Sequence, residues 1–420
     1  MSKEQMKMML PRLRFPEFKG RGEWDEKSLG SVCQTFSGGT PPTTKNEFYG
    51  GHIPFIRSAE IDRETTELFL TAEGLASSSA KLVTKGDVLV ALYGANSGEV
   101  ALAKLNGAIN QAILCLNSNE INSFIYQFLL LIKNWIVSTY VQGGQGNLSG
   151  EIIKSIKLLF PNKDEQQKIA SCLSSIDDLI AAHTQKLADL KAHKKGLMQQ
   201  LFPAEGEKVP KLRFPEFRDS GEWKEKKLAE CLLKHPEYGI NAPAVTYSIK
   251  LPTYLRITDI SEEGFFLKDQ KVSVEKEVTK DNYLEEGDIV LARTGASVGK
   301  SYKYRAEDGE LVFAGFLIRI KPDTSKINPE LLFQYLSTDK YWRWVAFTST
   351  RSGQPGINGN EYALLPILLP LSILEQQKIA SGLSSISELI RCQAERIKQL
   401  ENHKKGLMQG LFPNINNVSE

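Results

Sequence analysis

A stretch of 39 residues, Glu165–Pro203, recurs 210 positions later as Glu375–Pro413, with 24 identities and no gap. The two copies read EQQKIASCLSSIDDLIAAHTQKLADLKAHKKGLMQQLFP and EQQKIASGLSSISELIRCQAERIKQLENHKKGLMQGLFP. A repeat of this length means that the chain is two copies of one plan, and any fold assigned to it must place both.

Each copy is predicted to be one long helix. In the first, Ile169, Leu173, Ile176, Ile180, His183, Leu187, Leu190, Lys194, Leu197 and Leu201 follow alternating steps of four and three. In the second the same slots hold Ile379, Leu383, Ile386, Ile390, Gln393, Ile397, Leu400, Lys404, Leu407 and Leu411. That is the a/d seam of a coiled coil, narrower than the stripe of a helix lying on its own core. Asn162-x-x-Glu165 and Ser372-x-x-Glu375 predict capping boxes at the starts. His-Lys-Lys near each C-terminus suits the helix dipole, and Pro203 or Pro413 stops the helix. If the two helices pair antiparallel with Ile169 opposite Leu411, Lys194 faces Ile386 and Lys404 faces Ile176. Parallel pairing would instead stack the two lysines on each other. A helix of this length spans about 57 Å.

The rest of the chain follows the repeat. LRFPEFKGRGEW at 13–24 returns as LRFPEFRDSGEW at 212–223. Proline forces its predecessor into an extended state, so each is expected to be an apolar strap anchored by Phe and Trp. Between strap and helix lie two less similar bodies. Phe55–Ile61 aligns with Tyr254–Ile260, and Lys85–Ala91 with Glu286–Ala292, as short strands bounded by Gly-Asp turns. Phe124–Tyr140 and Pro329–Phe347 are predicted helices, each followed by a Gly/Gln-rich loop (142–150, 352–360) and a closing strand, Ile156–Phe160 or Leu364–Leu369. The expected class is α+β, with boundaries at 12–160 (strap and first body), 161–203 (central helix), 204–370 (linker, strap and second body) and 371–413 (C-terminal helix).

Charge narrows the function. Fifty-two basic against 50 acidic residues leave a formal charge of +2, so affinity for a polyanion must come from local placement. The 5 cysteines show no CxxC spacing and the 5 histidines form no metal motif. No signal core or long apolar run is present, so a soluble, cytoplasmic protein with no membrane partner is expected. Gly295-Ala-Ser-Val-Gly299-Lys300-Ser301 imitates a phosphate loop, but its spacer is one residue short. Strand and turn are expected after it, not a helix. No methyltransferase, zinc-protease or serine-hydrolase motif is found, so catalytic and metal residues are expected to be absent. The chain has the character of a binder.

Candidate contacts to nucleic acid fall at corresponding places in both halves. Arg293, Thr294, Ser297, Lys300, Tyr302, Lys303 and Arg305 lie on one acid-free, glycine-bearing segment suited to a phosphate backbone, or to an ordinary solvated β-ribbon. Its counterpart in the first half holds Tyr93, Asn96 and Ser97. Arg57, Ser58 and Glu60, and Arg256 and Thr258, could meet base edges in a major groove or close a strand end as salt bridges. Gln142, Gln145, Asn147, Gln354 and Asn358 add amides suited to adenine edges, or serve turns alone.

With these residues in view, the chain resembles the specificity (S) subunits of type I restriction–modification systems. The resemblance is carried by the paired LRFPEF…GEW straps, the paired EQQKIA…HKKGLMQ helices and the GD[VI]…GA-x-[SV]G bodies, and covers nearly the whole chain. It implies two target-recognition domains, each reading one half of a bipartite, asymmetric site in double-stranded DNA. It also implies a pseudo-two-fold arrangement about an antiparallel coiled coil that sets the spacing and docks two modification (methyltransferase) subunits. By the same resemblance, two restriction/translocase subunits would complete the full complex. S-adenosylmethionine, ATP and Mg2+ would be bound by those partners, with no cofactor on this chain. The alternative readings are a stand-alone nuclease or methyltransferase and a coiled-coil scaffold with no role at DNA.

Overall fold

The computed structural model describes residues 10–140, 147–350 and 355–413. Gln142, Gln145 and Gln354 lie outside the described residues. The chain forms two compact units, one from residues up to 184 together with those from 395 onward, the other from 185–394. Both long helices, Lys163–Leu201 and Ile373–Leu411, therefore contribute to both units.

The two units follow one plan. In the first, an antiparallel sheet runs in the order Cys33–Ser37, Ile113–Ser118, Val88–Ala91, Val100–Leu102. In the second, the matching sheet runs Glu237–Tyr238, Leu317–Ile320, Ile289–Ala292, Ser301–Lys303. The central strands Val88–Ala91 and Ile289–Ala292 are buried along their whole length. That explains their unbroken apolar runs where a half-exposed strand would alternate. A second four-stranded sheet keeps three corresponding strands in the same order in both units and adds its fourth strand at opposite edges. It runs Leu68–Leu70, Tyr49–Ile56, Gly107–Ile109, Lys81–Val83 in one and Ala244–Thr246, Val272–Val274, Thr253–Leu255, Leu311–Phe313 in the other. The units thus share a frame and differ in what is built on it.

The antiparallel pairing is visible inside each unit. In the first, Ile169, Ala170 and Leu173 from the start of one helix share a core with Met408, Leu411 and Phe412 from the end of the other. In the second, Met198, Leu201 and Phe202 share a core with Ile379, Ala380 and Leu383. Every a/d slot is buried or half-buried, the polar ones included. Lys404 meets Asp177 at 2.6 Å, one residue from the Ile176 that the seam arithmetic assigns to it.

The straps lock the helix ends. Leu13 N–H donates to Gly410 O (2.8 Å), and Leu212 N–H donates to Gln200 O (2.9 Å). Phe412 packs on Phe124 and Phe128 with centroids 5.3 and 4.6 Å apart, and Trp24 meets Phe124 at 5.8 Å. In the other unit Phe202 lies 6.1 Å from both Trp223 and Tyr335. Each strap is thus the plug for the far end of a long helix.

Three local expectations need correction. The straps are not wholly extended, because Pro16–Phe18 and Pro215–Phe217 turn as 3-10 helices that begin at the proline. The segment Pro329–Phe347 is two helices, Pro329–Tyr335 and Asp339–Ser349, because the Thr338 hydroxyl caps a new start by accepting from Tyr341 N–H. The capping boxes are half-formed. Asn162 and Ser372 cap the N–H groups of Glu165 and Glu375, but the glutamates turn instead to Arg14 and Arg213.

Candidate nucleic-acid interface

In each unit the fully buried central strand leads directly into a tight exposed turn. Gly94–Asn96 and Gly295–Ser297 form these turns, and Gly94 (φ 79°) and Gly295 (φ 73°) hold left-handed backbone that a side chain would strain. Ser301–Lys303 after the second turn is a strand, so the phosphate-loop imitation carries no helix N-terminus.

The surroundings of the two turns match. Leu92 N–H donates to Ala112 O and Leu148 N–H donates to Leu92 O in one unit. Arg293 N–H donates to Phe316 O and Ile357 N–H donates to Arg293 O in the other. Gly295 also donates to Pro355 O. The described ends of the Gly/Gln-rich loops are therefore seated beside the glycine turns, and Tyr93, Asn96, Ser97 and Asn147 come together, as do Arg293, Thr294, Ser297 and Asn358. Asn147 is exposed. Asn358 is occupied as a helix cap, accepting from Glu361 N–H at 3.0 Å.

Side chains at the turns differ between units. Tyr93 is 40% exposed in the first. In the second, the Arg293 guanidinium lies 4.9 Å from the Tyr238 ring centre, and Phe316 is 62% exposed where the first unit has Ala112. Phe316 and Tyr238 escaped the sequence reading because an aromatic beside an apolar strand reads as core.

Other candidates prove to be engaged within the fold. Arg57 donates to both carboxylate oxygens of Glu60 (3.0 Å each) and also reaches Glu67. Burial pushes the Glu60 pKa up, but hydrogen bonds from Arg57 and from the Glu67 and Arg57 N–H groups outweigh it and hold the group at about 2. Arg256 grips Asp259 in the same way, at 3.0 and 2.7 Å, with Thr258 beside it. Both sets act as strand-end clamps, with Ser58 half-buried beside one and Thr258 exposed but bonded to Asp259 beside the other.

The far end of the basic segment is closed. Tyr302 is 0% exposed and donates to Asp308 at 2.7 Å, and burial raises its pKa far above the usual phenol range. Lys303 pairs with Glu330 at 2.7 Å, Arg305 stacks on Phe265 at 4.6 Å, and Lys300 donates to Ile260 O. Tyr302 is closed to a phosphate backbone by its burial, whereas Lys303 and Arg305 are half-buried and engaged within the unit.

Two buried ion pairs were not legible in the sequence. Arg14 meets Glu165 and Arg213 meets Glu375, each at 2.7 Å, tying strap to helix. The available signal was the recurrence of both partners in both halves.

A family model described as "Type I restriction modification DNA specificity domain" matches residues 21–192 and again 221–402. The type I restriction enzyme MjaVIII specificity subunit of Methanocaldococcus jannaschii is 26% identical over 419 residues, covering 95% of this chain and 93% of that protein. The EcoR124I/EcoR124II specificity subunit of Escherichia coli is 27% identical over 180 residues, covering 40% of this chain and 44% of that one. The crystal structure of the type I restriction–modification S subunit from M. genitalium aligns with a TM-score of 0.66 at 16% identity, over 97% of this chain and 100% of the other. Because the family model matches twice and spans more than half of the chain, the chain belongs to the type I restriction–modification DNA specificity family.

Proposed function

We propose that the chain is the DNA sequence-specificity subunit of a type I restriction–modification complex, each unit reading one half of a bipartite, asymmetric site. The observation that carries this is the contrast between frame and turn. Strands, straps and helix seams correspond between units, while the exposed turns present Tyr93 with Ala112 in one and Arg293, Tyr238 and Phe316 in the other. Different side chains on equal frames suit two different half-sites, because base edges are discriminated by the groups presented to them.

The chain supplies recognition and its partners supply chemistry. Two modification subunits dock along the helices, where Leu179 and Leu389, 210 positions apart, are 49% and 55% exposed. S-adenosylmethionine, ATP and Mg2+ are taken up by modification and restriction/translocase subunits in the cytoplasm. Among the described residues no helix is long and apolar enough to cross a membrane.

Methylome sequencing of a host carrying the chain with its partner subunits tests the reading. The expected result is methylated adenine in a split motif with two unlike halves. A continuous or palindromic motif, or turnover by the purified chain alone, overturns it. Phe316→Ala is expected to weaken binding about tenfold at one half-site, within the range for truncating an aromatic anchor at an interface.

A further inference from the structure

The two units handle the same seam lysine differently. In the first, Lys404 pairs with Asp177 at 2.6 Å, and Gln127 Nε2 donates to the second oxygen of that carboxylate at 2.7 Å. In the second unit the counterparts are Lys194, Ser387 and Gln334. Gln334 donates to Ser387 Oγ at 3.3 Å, but Ser387 is neutral and spends its proton on Leu383 O. The nearby carboxylates are already taken, Glu330 by Lys303 and Glu263 by Lys191. Among the described residues Lys194 makes no ion pair or hydrogen bond. Burial, more than any neighbouring charge, lowers its pKa.

Lys194 and Ser387 both line a cavity of about 730 Å³ within this unit. That volume falls in the range of small-molecule sites, which are commonly apolar with a few polar anchors. Phe265, Phe333 and Trp342 line it, and its seven basic lining residues, Lys195, Lys211 and Lys340 among them, outnumber the four acidic ones, Glu205, Glu262, Glu263 and Asp339. A partly desolvated ammonium without a counterion is unfavourable, and an anion bound beside it offsets that cost.

We propose that this cavity binds an organic anion, whose carboxylate, sulfonate or phosphate group takes the place beside Lys194 that Asp177 fills beside Lys404. Its apolar body lodges against Phe265, Phe333 and Trp342. The site does not depend on the reading of DNA, and failure of either leaves the other standing.

The test is fluorescence titration of the full chain with 8-anilinonaphthalene-1-sulfonate, an aromatic sulfonate. Saturable binding at one site is expected. Ser387→Asp supplies an internal carboxylate and should weaken binding about tenfold or more, as should Lys194→Met, which keeps the stem and removes the charge. Asp177→Ser, in the other unit, should leave the affinity unchanged. Unaltered affinity in Lys194→Met, or no saturable site in the parent chain, overturns the assignment. Lys194→Met decides alone if Ser387→Asp does not fold. Inorganic phosphate should compete only at far higher concentration, and competition at matching affinity overturns the role of the apolar walls.

Discussion

Glu375 has a side chain only 1% exposed, and its carboxylate is met by Arg213 at 2.7 and 2.9 Å. A buried pair of this kind is weak evidence of net stabilisation, yet removing one member leaves an uncompensated charge. Arg213→Ala is therefore expected to destabilise its unit by about 3–5 kcal/mol, read by chemical denaturation. The double variant Arg213→Met with Glu375→Met should recover most of that loss. A single variant as stable as the parent would remove the pair from the anchoring role. Glu60 offers a test with pH. Its folded pKa of about 2 lies below the ordinary 4.5, so the stability it contributes is present above 4.5 and is lost as pH falls toward 2. Melting curves between pH 5 and 2.5 should show a loss in the parent chain that Glu60→Gln lacks. Equal slopes would mean that the clamp contributes nothing. Neither clamp nor anchor was assigned from sequence, for different reasons. Arg57 and Glu60 are neighbours whose salt bridge was one of two open readings. Arg213 and Glu375 are separated by 162 positions, and only folding brings them together.

At the scale of elements, legibility followed periodicity. The long helices were readable because their seam repeats for ten slots, and the structure buries or half-buries each of them. The Gly-Asp turns were readable because a left-handed glycine and an acceptor side chain are local needs, and Asp87 and Asp288 accept from Thr84 and Glu285 N–H. The break at Leu336–Thr338 was hidden by apolar residues that continue on both sides of it, so the cap at Thr338 decided the matter. The edge strands of the second sheets were not legible, since short strands such as Lys81–Val83 and Ala244–Thr246 take their partners, Gly107–Ile109 and Val272–Val274, across long intervening segments. The helices also carry a prediction. Removing the four residues Ala181–Thr184 shortens the first long helix by about 6 Å and turns its remainder by roughly one-tenth of a circle. On the proposed function, the methylated motif should then lose spacer length or the complex should fail to assemble. An intact complex with an unchanged spacer would deny the helices any part in setting it.

For the whole molecule, duplication separates what must be equal from what is free to differ. On the proposed function a partner that binds twice needs the same surface twice, and the exposed Leu179 and Leu389 stand at corresponding places on the two long helices, while the buried Arg–Glu anchors recur beneath. On the same proposal a split target with unlike halves needs the opposite, and the turns and the edge strands of the second sheets depart from their counterparts. This separation is strong enough to be exploited by exchange. Residues 211–370 run from the strap to the start of the second long helix and hold most of one unit's core. On the proposed function, replacing them with the corresponding segment of another family member, and keeping both long helices, should preserve assembly because the seams, Leu179 and Leu389 are untouched. Methylome sequencing of the chimera should then report one half-site exchanged, with the other half-site and the spacer retained. Were both halves to change together, reading would be shared across the chain, and the two-reader account would have to be abandoned.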